Sequence, residues 1–203
     1  MSKKLKIGVD IDEILAPFNN NFIDFLNKKI NTNYKVENFS SYNIEEETGH
    51  TKEEIHELLD EFSISLNAKE MMPIFGAVES IFDLQKNDCE LYAITARPVY
   101  IETETREWIE KHFSNHFKEI YHLGRSHKSE IKEINKGDIS KELDIKIFIE
   151  DSLKNAFEIS SHNIPVILLD KPWNQEENLP ENIHRVKDWD EILQKIEELK
   201  NVI

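Results

Sequence analysis

Short apolar strands alternate with helical segments along most of this chain, and this alternation limits the fold more than any other feature. Continuous apolar runs at 145–149 and 165–169 are typical of strands buried on both faces. Earlier strands are predicted at 4–9, 90–95 and 119–123, with helices between them. Strands that alternate with helices favour βαβ units. We therefore predict an α/β fold, with a parallel sheet sandwiched by helices.

The segment 18–72 interrupts this alternation directly after the first strand. Its apolar residues recur at spacings of three and four, which is typical of helices. Within it, Thr51 and Glu54 have the spacing of a capping box at a helix N-terminus. We predict a core domain formed by residues 1–17 and 73–203, with residues 18–72 as an inserted helical cap.

The composition is that of a globular protein and argues against several kinds of partner. The 203 residues are 39% hydrophobic and carry a formal net charge of −15. A surface this acidic repels the phosphate backbone, so we expect no nucleic-acid partner. No apolar run approaches the roughly 20 residues of a membrane span, and the N-terminus does not suit a secretory signal. We expect a cytoplasmic protein without a membrane partner, in which the single Cys89 is a small core residue.

Two aspartates, Asp10 and Asp12, come directly after the first predicted strand. In open parallel sheets, ligands bind at the carboxyl ends of the strands. One carboxylate can act as a nucleophile and form a covalent phosphoryl intermediate. A second can protonate the leaving oxygen and then activate water. Asp188 and Asp190 have the same spacing but precede the last helix, where we expect acids that suit its N-terminal dipole.

A threonine ends the second predicted strand, in the stretch Thr95-Ala96-Arg97-Pro98. The Thr95 hydroxyl and a neighbouring backbone N–H can hold a phosphate oxygen. The Arg97 guanidinium can add bidentate recognition of phosphate, or it can pair with one of the many acids. We assign Thr95, Ala96 and Arg97 to substrate binding.

A lysine is expected near these acids, because an ammonium group offsets charge on the nucleophile and on the transferred group. Our candidate is Lys136, which stands at the head of a predicted helix that precedes the fourth strand. Lys128 and Lys132 are alternatives on spacing alone.

Two further acids, Glu150 and Asp151, close the fourth predicted strand. Mg²⁺ binds oxygen ligands and often keeps several waters. Without a cation, these acids would repel Asp10 strongly. We predict Asp151 as a direct metal ligand and Glu150 as a supporting or water-mediated one.

The order of these strand-end residues resembles that of the haloacid dehalogenase superfamily. Within it, the chain is most similar to the 5′(3′)-deoxyribonucleotidase family, the cytosolic type C nucleotidases and their bacterial relatives. Four stretches carry the resemblance: 9–18, 94–98, 148–152 and 185–189.

The resemblance implies a role for each candidate residue. By it, Asp10 is the nucleophile, Asp12 the acid and base, and Thr95 a phosphate ligand, while Lys136 supplies the balancing cation. It also implies that Mg²⁺ is held by the Asp10 carboxylate, the Asp12 backbone carbonyl and Asp151.

The resemblance also implies that the helical insertion closes over the substrate and excludes water. Phe18 falls where relatives stack the nucleobase. Alternatively, Phe18 belongs to the core face of the first cap helix, together with Phe22 and Phe25.

The leading hypothesis is a Mg²⁺-dependent 5′-nucleotidase that dephosphorylates (deoxy)nucleoside monophosphates through an aspartyl-phosphate. A phosphatase of another small phosphomonoester, a receiver-type phospho-acceptor domain and an inactive binding protein are the alternatives. The receiver is disfavoured because Lys136 precedes the final acids and a helical block follows the first strand. The sequence leaves the base and sugar preference open, and a homodimer is compatible with it.

Overall fold

A parallel β-sheet lies at the centre of this computed structural model, which describes residues 4–39, 44–124 and 135–202. The strands within that part of the chain are β1 (Leu5–Val9), β2 (Cys89–Pro98), β3 (Phe117–Gly124), β4 (Ile147–Glu150), β5 (Val166–Leu169) and β6 (Ile183–Val186). Their order across the sheet is β3-β2-β1-β4-β5-β6, and all neighbours run parallel. The predicted α/β fold is confirmed.

Helices cover both faces of this sheet. The described helices are α1 (Phe18–Ile30), α2 (Ile44–Thr48), α3 (Lys52–Ser63), α4 (Leu66–Lys69), α5 (Ala77–Lys86), α6 (Glu102–Phe113), α7 (Lys136–Glu142), α8 (Leu153–Ser160) and α9 (Trp189–Lys200). Three short 3₁₀ turns are Val36–Asn38, Val99–Ile101 and Pro172–Asn174. Among the described helices, none combines the length and apolar character that crossing a bilayer requires.

Alternate residues of each strand point to opposite faces and build two apolar layers. Ile7 and Val9 of β1 pack into the layer beneath α5, α6 and α9. Phe148 of β4 packs into the other layer, which lies beneath α7 and α8. Gly8 is required between these layers, because a Cβ there would lie 2.4 Å from the Phe148 ring. The central strand therefore has large side chains on one face and a close aromatic contact on the other.

The helices between β1 and α5 share an apolar cluster of their own. Its buried members are Phe22, Ile23, Leu26, Phe39 and Phe62. The predicted helical character of this insertion is confirmed by α1 to α4. The division of the chain into a core and a cap domain, at residues 17/18 and 72/73, stays a prediction.

Local sequence signals account for two helix starts. Thr51 accepts a hydrogen bond from the Glu54 backbone N–H, and the Glu54 carboxylate accepts one from the Thr51 backbone N–H. The predicted capping box is therefore confirmed. The Asp188 side chain likewise accepts from the Glu191 backbone N–H at the start of α9, as expected of an acid that precedes a helix.

Five predicted strands are confirmed, and the sixth was missed. The strand β6 lies at the sheet edge and contains the polar residues His184 and Arg185 between two buried ones. Only four residues long, it offers no extended apolar run that could reveal it in the sequence. Cys89 is buried without a disulfide partner at the start of β2, as expected for a core residue.

Candidate active site

Buried acids meet where the central strands of the sheet end. Asp10 follows β1, and Glu150 and Asp151 close β4, which is paired with β1. One carboxylate oxygen from each of these three residues lies within 4.8 Å of the others. All three side chains are buried. Asp10 and Glu150, which are 140 positions apart in the chain, therefore belong to one buried cluster, as the strand-end rule predicts.

Lys136 lies at the start of α7 and points its ammonium group into this acidic cluster. Its Nζ lies 2.8 Å from Asp10 Oδ2 and 2.8 Å from Glu150 Oε2. The lysine side chain is only 3% exposed, so both ion pairs are shielded from solvent. Lys128 and Lys132, the alternatives for this role, lie outside the described residues.

Burial and crowding dominate the protonation of the cluster. Burial raises the pKa of Asp10, and the nearby Glu150 carboxylate raises it further while Lys136 opposes the rise. Burial likewise raises the pKa of Asp151, with Glu150 and Asp10 adding to the effect. Burial alone would lower the pKa of Lys136, but Asp10 and Glu150 outweigh it and hold that pKa above its ordinary value. Within the part of the chain that the structure describes, three acids of this cluster face one ammonium group.

Glu150, the last residue of β4, and Asp151, which follows it, differ in how many of their carboxylate oxygens accept hydrogen bonds from the protein. Glu150 Oε1 accepts from the backbone N–H groups of Asp151 and Ser152 and from Asn155 Nδ2. Its Oε2 accepts from Lys136. Both Glu150 oxygens are therefore engaged by protein donors.

Asp151 keeps one oxygen free of protein donors. Its Oδ2 accepts from Trp173 Nε1 at 2.9 Å. Its Oδ1 is buried and has no hydrogen-bond partner among the described residues. A buried oxygen in this state points to a ligand that the protein chain itself does not supply.

Asp12 and Arg97 form an ion pair beside the cluster. Arg97 donates from Nε at 3.0 Å and from Nη2 at 2.6 Å to Asp12 Oδ1. Its Nη1 donates to Thr105 Oγ1 at 3.3 Å, and the guanidinium lies 5.7 Å from the Phe18 ring centroid. The sequence assigned Arg97 to substrate binding, with pairing to an acid as the alternative. In this structure Arg97 pairs with Asp12, and its assignment to substrate binding stays a prediction.

Thr95 is fully buried near the end of β2, in the row of strand ends that also carries Asp10. Its Oγ1 accepts from the Arg97 backbone N–H at 3.1 Å. The residue between them, Ala96, is exposed, and the pairing of β2 with β3 shifts register between Thr95 and Pro98. The hydroxyl proton of Thr95 remains available as a donor, which is compatible with its predicted contact to a phosphate oxygen.

A cavity of about 310 Å³ lies between the end of β2 and helices α1 and α3. Its walls include Asp12, Phe18, His56, Asp60 and Arg97. Phe18 also contacts the Phe62 ring edge-on, with 5.2 Å between the centroids. The two roles considered for Phe18 therefore coexist, because the ring lines the cavity and also packs in the insertion.

Glu13, a second buried acid of the loop after β1, was not among the predicted site residues. Its backbone has a φ of 60°, a region that residues other than glycine rarely occupy. Its carboxylate accepts from the Asn19 backbone N–H at 2.7 Å and from Lys171 Nζ at 3.1 Å. Burial raises the pKa of Glu13, and Lys171 partly offsets that rise. Glu13 thus joins the β1 loop to the start of α1 and to the loop after β5.

The loop after β5 was missed as well. It places Lys171, Trp173 and Asn174 at the same edge of the sheet as the acids. The strand-end rule was applied to the first, second and fourth strands only. Applied to the fifth strand, it would have selected this loop.

Sequence similarity to known proteins extends over most of this chain. Residues 3–202 match the family described as 5′ nucleotidase, deoxy (pyrimidine), cytosolic type C protein. A Bacillus subtilis protein named "Putative nucleotidase YqfW" is 31% identical over 193 residues, which cover 94% of this chain and 92% of that protein.

Solved structures support the same fold. A haloacid dehalogenase-like hydrolase from Streptococcus pneumoniae, SP0104, has a TM-score of 0.68 at 14% identity, with 97% of this chain and 100% of that chain covered. YfnB of Bacillus subtilis, solved bound to magnesium, has a TM-score of 0.61 at 16% identity, with 96% and 99% covered. The chain belongs to the cytosolic type C 5′-nucleotidase family and is a phosphoric monoester hydrolase.

Proposed function

We propose that this chain is a Mg²⁺-dependent 5′-nucleotidase that hydrolyses (deoxy)nucleoside monophosphates through an aspartyl-phosphate on Asp10. The observation that carries the proposal is the buried cluster of Asp10, Glu150 and Asp151, in which the Lys136 ammonium group pairs with Asp10 and Glu150. Carboxylates that are buried this densely are costly to ionise unless a cation joins them.

The donor set fits Mg²⁺. Among the described residues, three ionised carboxylates and one ammonium group leave the cluster with two excess negative charges, which one divalent cation would neutralise. The ligands offered are hard oxygens, including the unpartnered Oδ1 of Asp151. Asp10 and Asp151 would hold the ion, with the Asp12 backbone carbonyl as the resemblance implies and Glu150 in support. When bound, Mg²⁺ offsets charge on the nucleophile and on the phosphoryl oxygens.

The first chemical step uses Asp10 and Asp12. An Asp10 carboxylate oxygen attacks phosphorus, and the bond from phosphorus to the nucleoside oxygen breaks. The Asp12 carboxyl gives its proton to that leaving oxygen. In the second step, Asp12 takes a proton from water, whose oxygen attacks phosphorus and releases Asp10. Thr95 and the backbone N–H of Ala96 hold the phosphoryl oxygens throughout, and Lys136 stabilises their charge.

Arg97 holds the Asp12 carboxylate at the boundary between the acidic cluster and the cavity. The contacts to Asp12 and Thr105 engage three nitrogen atoms of the guanidinium. These bonds use three of the five guanidinium N–H donors, and two of the three go to Asp12. We therefore propose that Arg97 mainly orients the acid and base, and direct phosphate binding by Arg97 stays a prediction.

The cavity beside Asp12 is the proposed site of the nucleoside. The Phe18 ring lines it and can stack on a base, a contact worth roughly 1–3 kcal/mol. In this proposal, helices α1 to α4 form a cap that excludes water from the reacting groups. The acidic net charge argues against a nucleic-acid partner, and the family description supports a cytoplasmic location.

The test is phosphate release from a panel of nucleoside monophosphates and sugar phosphates, measured with and without Mg²⁺. The proposal predicts that a nucleoside monophosphate is the best substrate and that turnover requires the metal. A sugar phosphate that exceeds every nucleotide tenfold in kcat/KM, about 1.4 kcal/mol, would favour a phosphatase of another small phosphomonoester. No turnover of any phosphomonoester would contradict the proposal.

A further inference from the structure

The loop that follows β5 reaches across the sheet edge to Asp151. Trp173 Nε1 donates to Asp151 Oδ2 at 2.9 Å. Asn174 Nδ2 donates to the Asp151 backbone carbonyl oxygen at 2.8 Å. Two consecutive residues of this loop therefore hold both the carboxylate and the backbone of Asp151.

Asn174 anchors the loop in place. Its side chain is fully buried, and its Nδ2 also donates to the Leu169 backbone carbonyl oxygen at 2.8 Å. Its Oδ1 accepts from the Lys171 backbone N–H at 3.2 Å. Every polar atom of the amide side chain is satisfied, and the loop is tied to the ends of β4 and β5. This anchoring fixes the position from which Trp173 reaches Asp151.

A second tie joins the same loop to the loop after β1. Lys171 Nζ lies 3.1 Å from Glu13 Oε2, and both side chains are largely buried. Glu13 follows Asp10 and Asp12 in the chain, so this ion pair connects the two loops that frame the acidic cluster. The indole of Trp173 is thus presented by a loop with contacts on both sides of the site.

The chemistry of an indole suits the support of a metal ligand. Its N–H donates a hydrogen bond but carries no charge and accepts none. A lysine or arginine at that place would add positive charge and oppose binding of a cation. The single bond from Trp173 orients the Asp151 carboxylate while leaving Oδ1 without a protein donor. Hydrogen bonds of this kind commonly set the orientation of ligating carboxylates.

We propose that Trp173 is a positioning residue that presents Asp151 Oδ1 to Mg²⁺, with Asn174 as the anchor of the loop that carries it. The inference rests on the proposed function, because Asp151 is a metal ligand only under that proposal. Trp173 contacts neither the phosphoryl group nor the nucleophile in this account. Its effect is therefore on metal affinity first and on turnover only through the metal.

The experiment compares Mg²⁺ binding by calorimetry in the metal-free wild type, Trp173→Phe and Trp108→Phe. Trp173→Phe keeps an aromatic ring and removes the N–H donor, so its Kd should rise at least about tenfold, with turnover recovering at high Mg²⁺. Trp108→Phe is the matched control, because it removes a buried indole bond to the Met71 backbone carbonyl oxygen. Its Mg²⁺ Kd should stay at the wild-type value. A Kd for Trp173→Phe that equals that of Trp108→Phe would overturn the inference.

A second measurement does not depend on how well Trp173→Phe folds. The chain has three tryptophans, so indole N–H proton NMR signals of the wild type can be followed as Mg²⁺ is added. Trp108→Phe and Trp189→Phe identify the remaining Trp173 signal. That signal should move most on metal binding, and its failure to move in a protein that binds Mg²⁺ would overturn the inference. A wild type that binds no Mg²⁺ would instead contradict the proposed function, and this inference would fall with it.

Discussion

The carboxyl-terminal edge of the sheet and the helical insertion contribute opposite kinds of surface to the candidate active site. At the carboxyl ends of the strands, four charged residues are each at most 5% exposed: Asp10, Lys136, Glu150 and Asp151. Ion pairs and backbone hydrogen bonds hold this cluster together. The insertion packs through an apolar cluster and turns ordinary helix-surface residues toward the cavity. Buried charges in fixed positions suit a reaction that requires precise placement of its catalytic groups. The side chains of the helical insertion can change without disturbing those buried charges.

Under the proposed function, the acidic cluster carries out the reaction, and the helical insertion selects the substrate. Changes at the sheet edge should alter metal binding and the chemical step for every phosphomonoester. Changes in the insertion should alter which nucleoside is accepted while leaving the metal site intact. Five substitutions test that separation, and they follow in order of decreasing expected effect.

Asp10→Asn should abolish turnover, with kcat falling by about 10⁴-fold or more, because the amide cannot attack phosphorus. Phosphate release measures the loss, and thermal unfolding checks that the variant is folded. Asp190→Asn is the matched control, since Asp190 belongs to an Asp-x-Asp pair outside the cluster. Turnover at the wild-type rate in Asp10→Asn would remove Asp10 as the nucleophile.

Asp12→Asn should lower kcat by about 10²- to 10⁴-fold, because the leaving oxygen and then the attacking water lose their proton partner. The loss in the first step should be smaller for p-nitrophenyl phosphate, whose leaving group needs no proton. An equal loss of the first step for both substrates would argue that Asp12 does not act as the acid.

Asp151→Asn should make the metal-free protein more stable at pH 7 and remove its response to Mg²⁺. Burial raises the pKa of Asp151 in the folded state, so the folded state binds the proton more tightly than the unfolded chain. Metal-free stability therefore falls as pH rises from the unfolded pKa toward the folded one. Replacing the carboxylate removes that loss.

Thermal unfolding with and without Mg²⁺ measures both effects. Saturating Mg²⁺ should stabilise the wild type by about 2.7 kcal/mol at one hundred times its Kd. The Asp151→Asn variant should gain nothing. A variant that keeps the full Mg²⁺ response would place the ion elsewhere.

Phe18→Leu should lower kcat/KM for nucleotides, because a stacking surface is lost. The expected decrease corresponds to roughly 1–3 kcal/mol of activation free energy. Ribose 5-phosphate has no base, so its turnover should be unaffected. Phe25→Leu on the same helix is the control, because Phe25 packs in the apolar cluster of the insertion. Equal losses for both substrates in Phe18→Leu would assign Phe18 to packing alone.

Thr51→Ala should cost about 1 kcal/mol of stability by removing the capping box of α3. Because α3 forms a wall of the cavity, the KM for nucleotides should rise while the Kd for Mg²⁺ stays constant. Denaturant unfolding and calorimetry measure the two quantities. A change in Mg²⁺ affinity would show that the insertion and the metal cluster are not independent.

The sequence was most informative where a residue's position along a strand determines its place in space. Asp10 and Asp151 follow apolar runs, and the carboxyl ends of parallel strands must lie at one edge. The capping box at Thr51 was equally readable, because both of its partners lie within four residues. Lys136 required a choice among neighbouring lysines. Its ammonium group lies in the acidic cluster, while Lys128 and Lys132 lie outside the described residues.

Contacts set by tertiary packing could not be read in the same way. The Arg97 bonds to Asp12 span 85 positions, and the Lys171 bond to Glu13 spans 158. Charge counts alone do not say which of 40 acids a given base will reach. The edge strand β6 was missed because its polar centre gives no apolar run.

The most direct test of the central claim is chemical trapping of the aspartyl-phosphate. The Asp12→Asn variant should accumulate it from p-nitrophenyl phosphate and Mg²⁺, because the acid is not needed for that leaving group and the base for water is lost. Borohydride reduction and mass spectrometry should then find homoserine at position 10 and at no other aspartate. A reduced residue elsewhere, or p-nitrophenol released in a burst without any modified aspartate, would contradict the account.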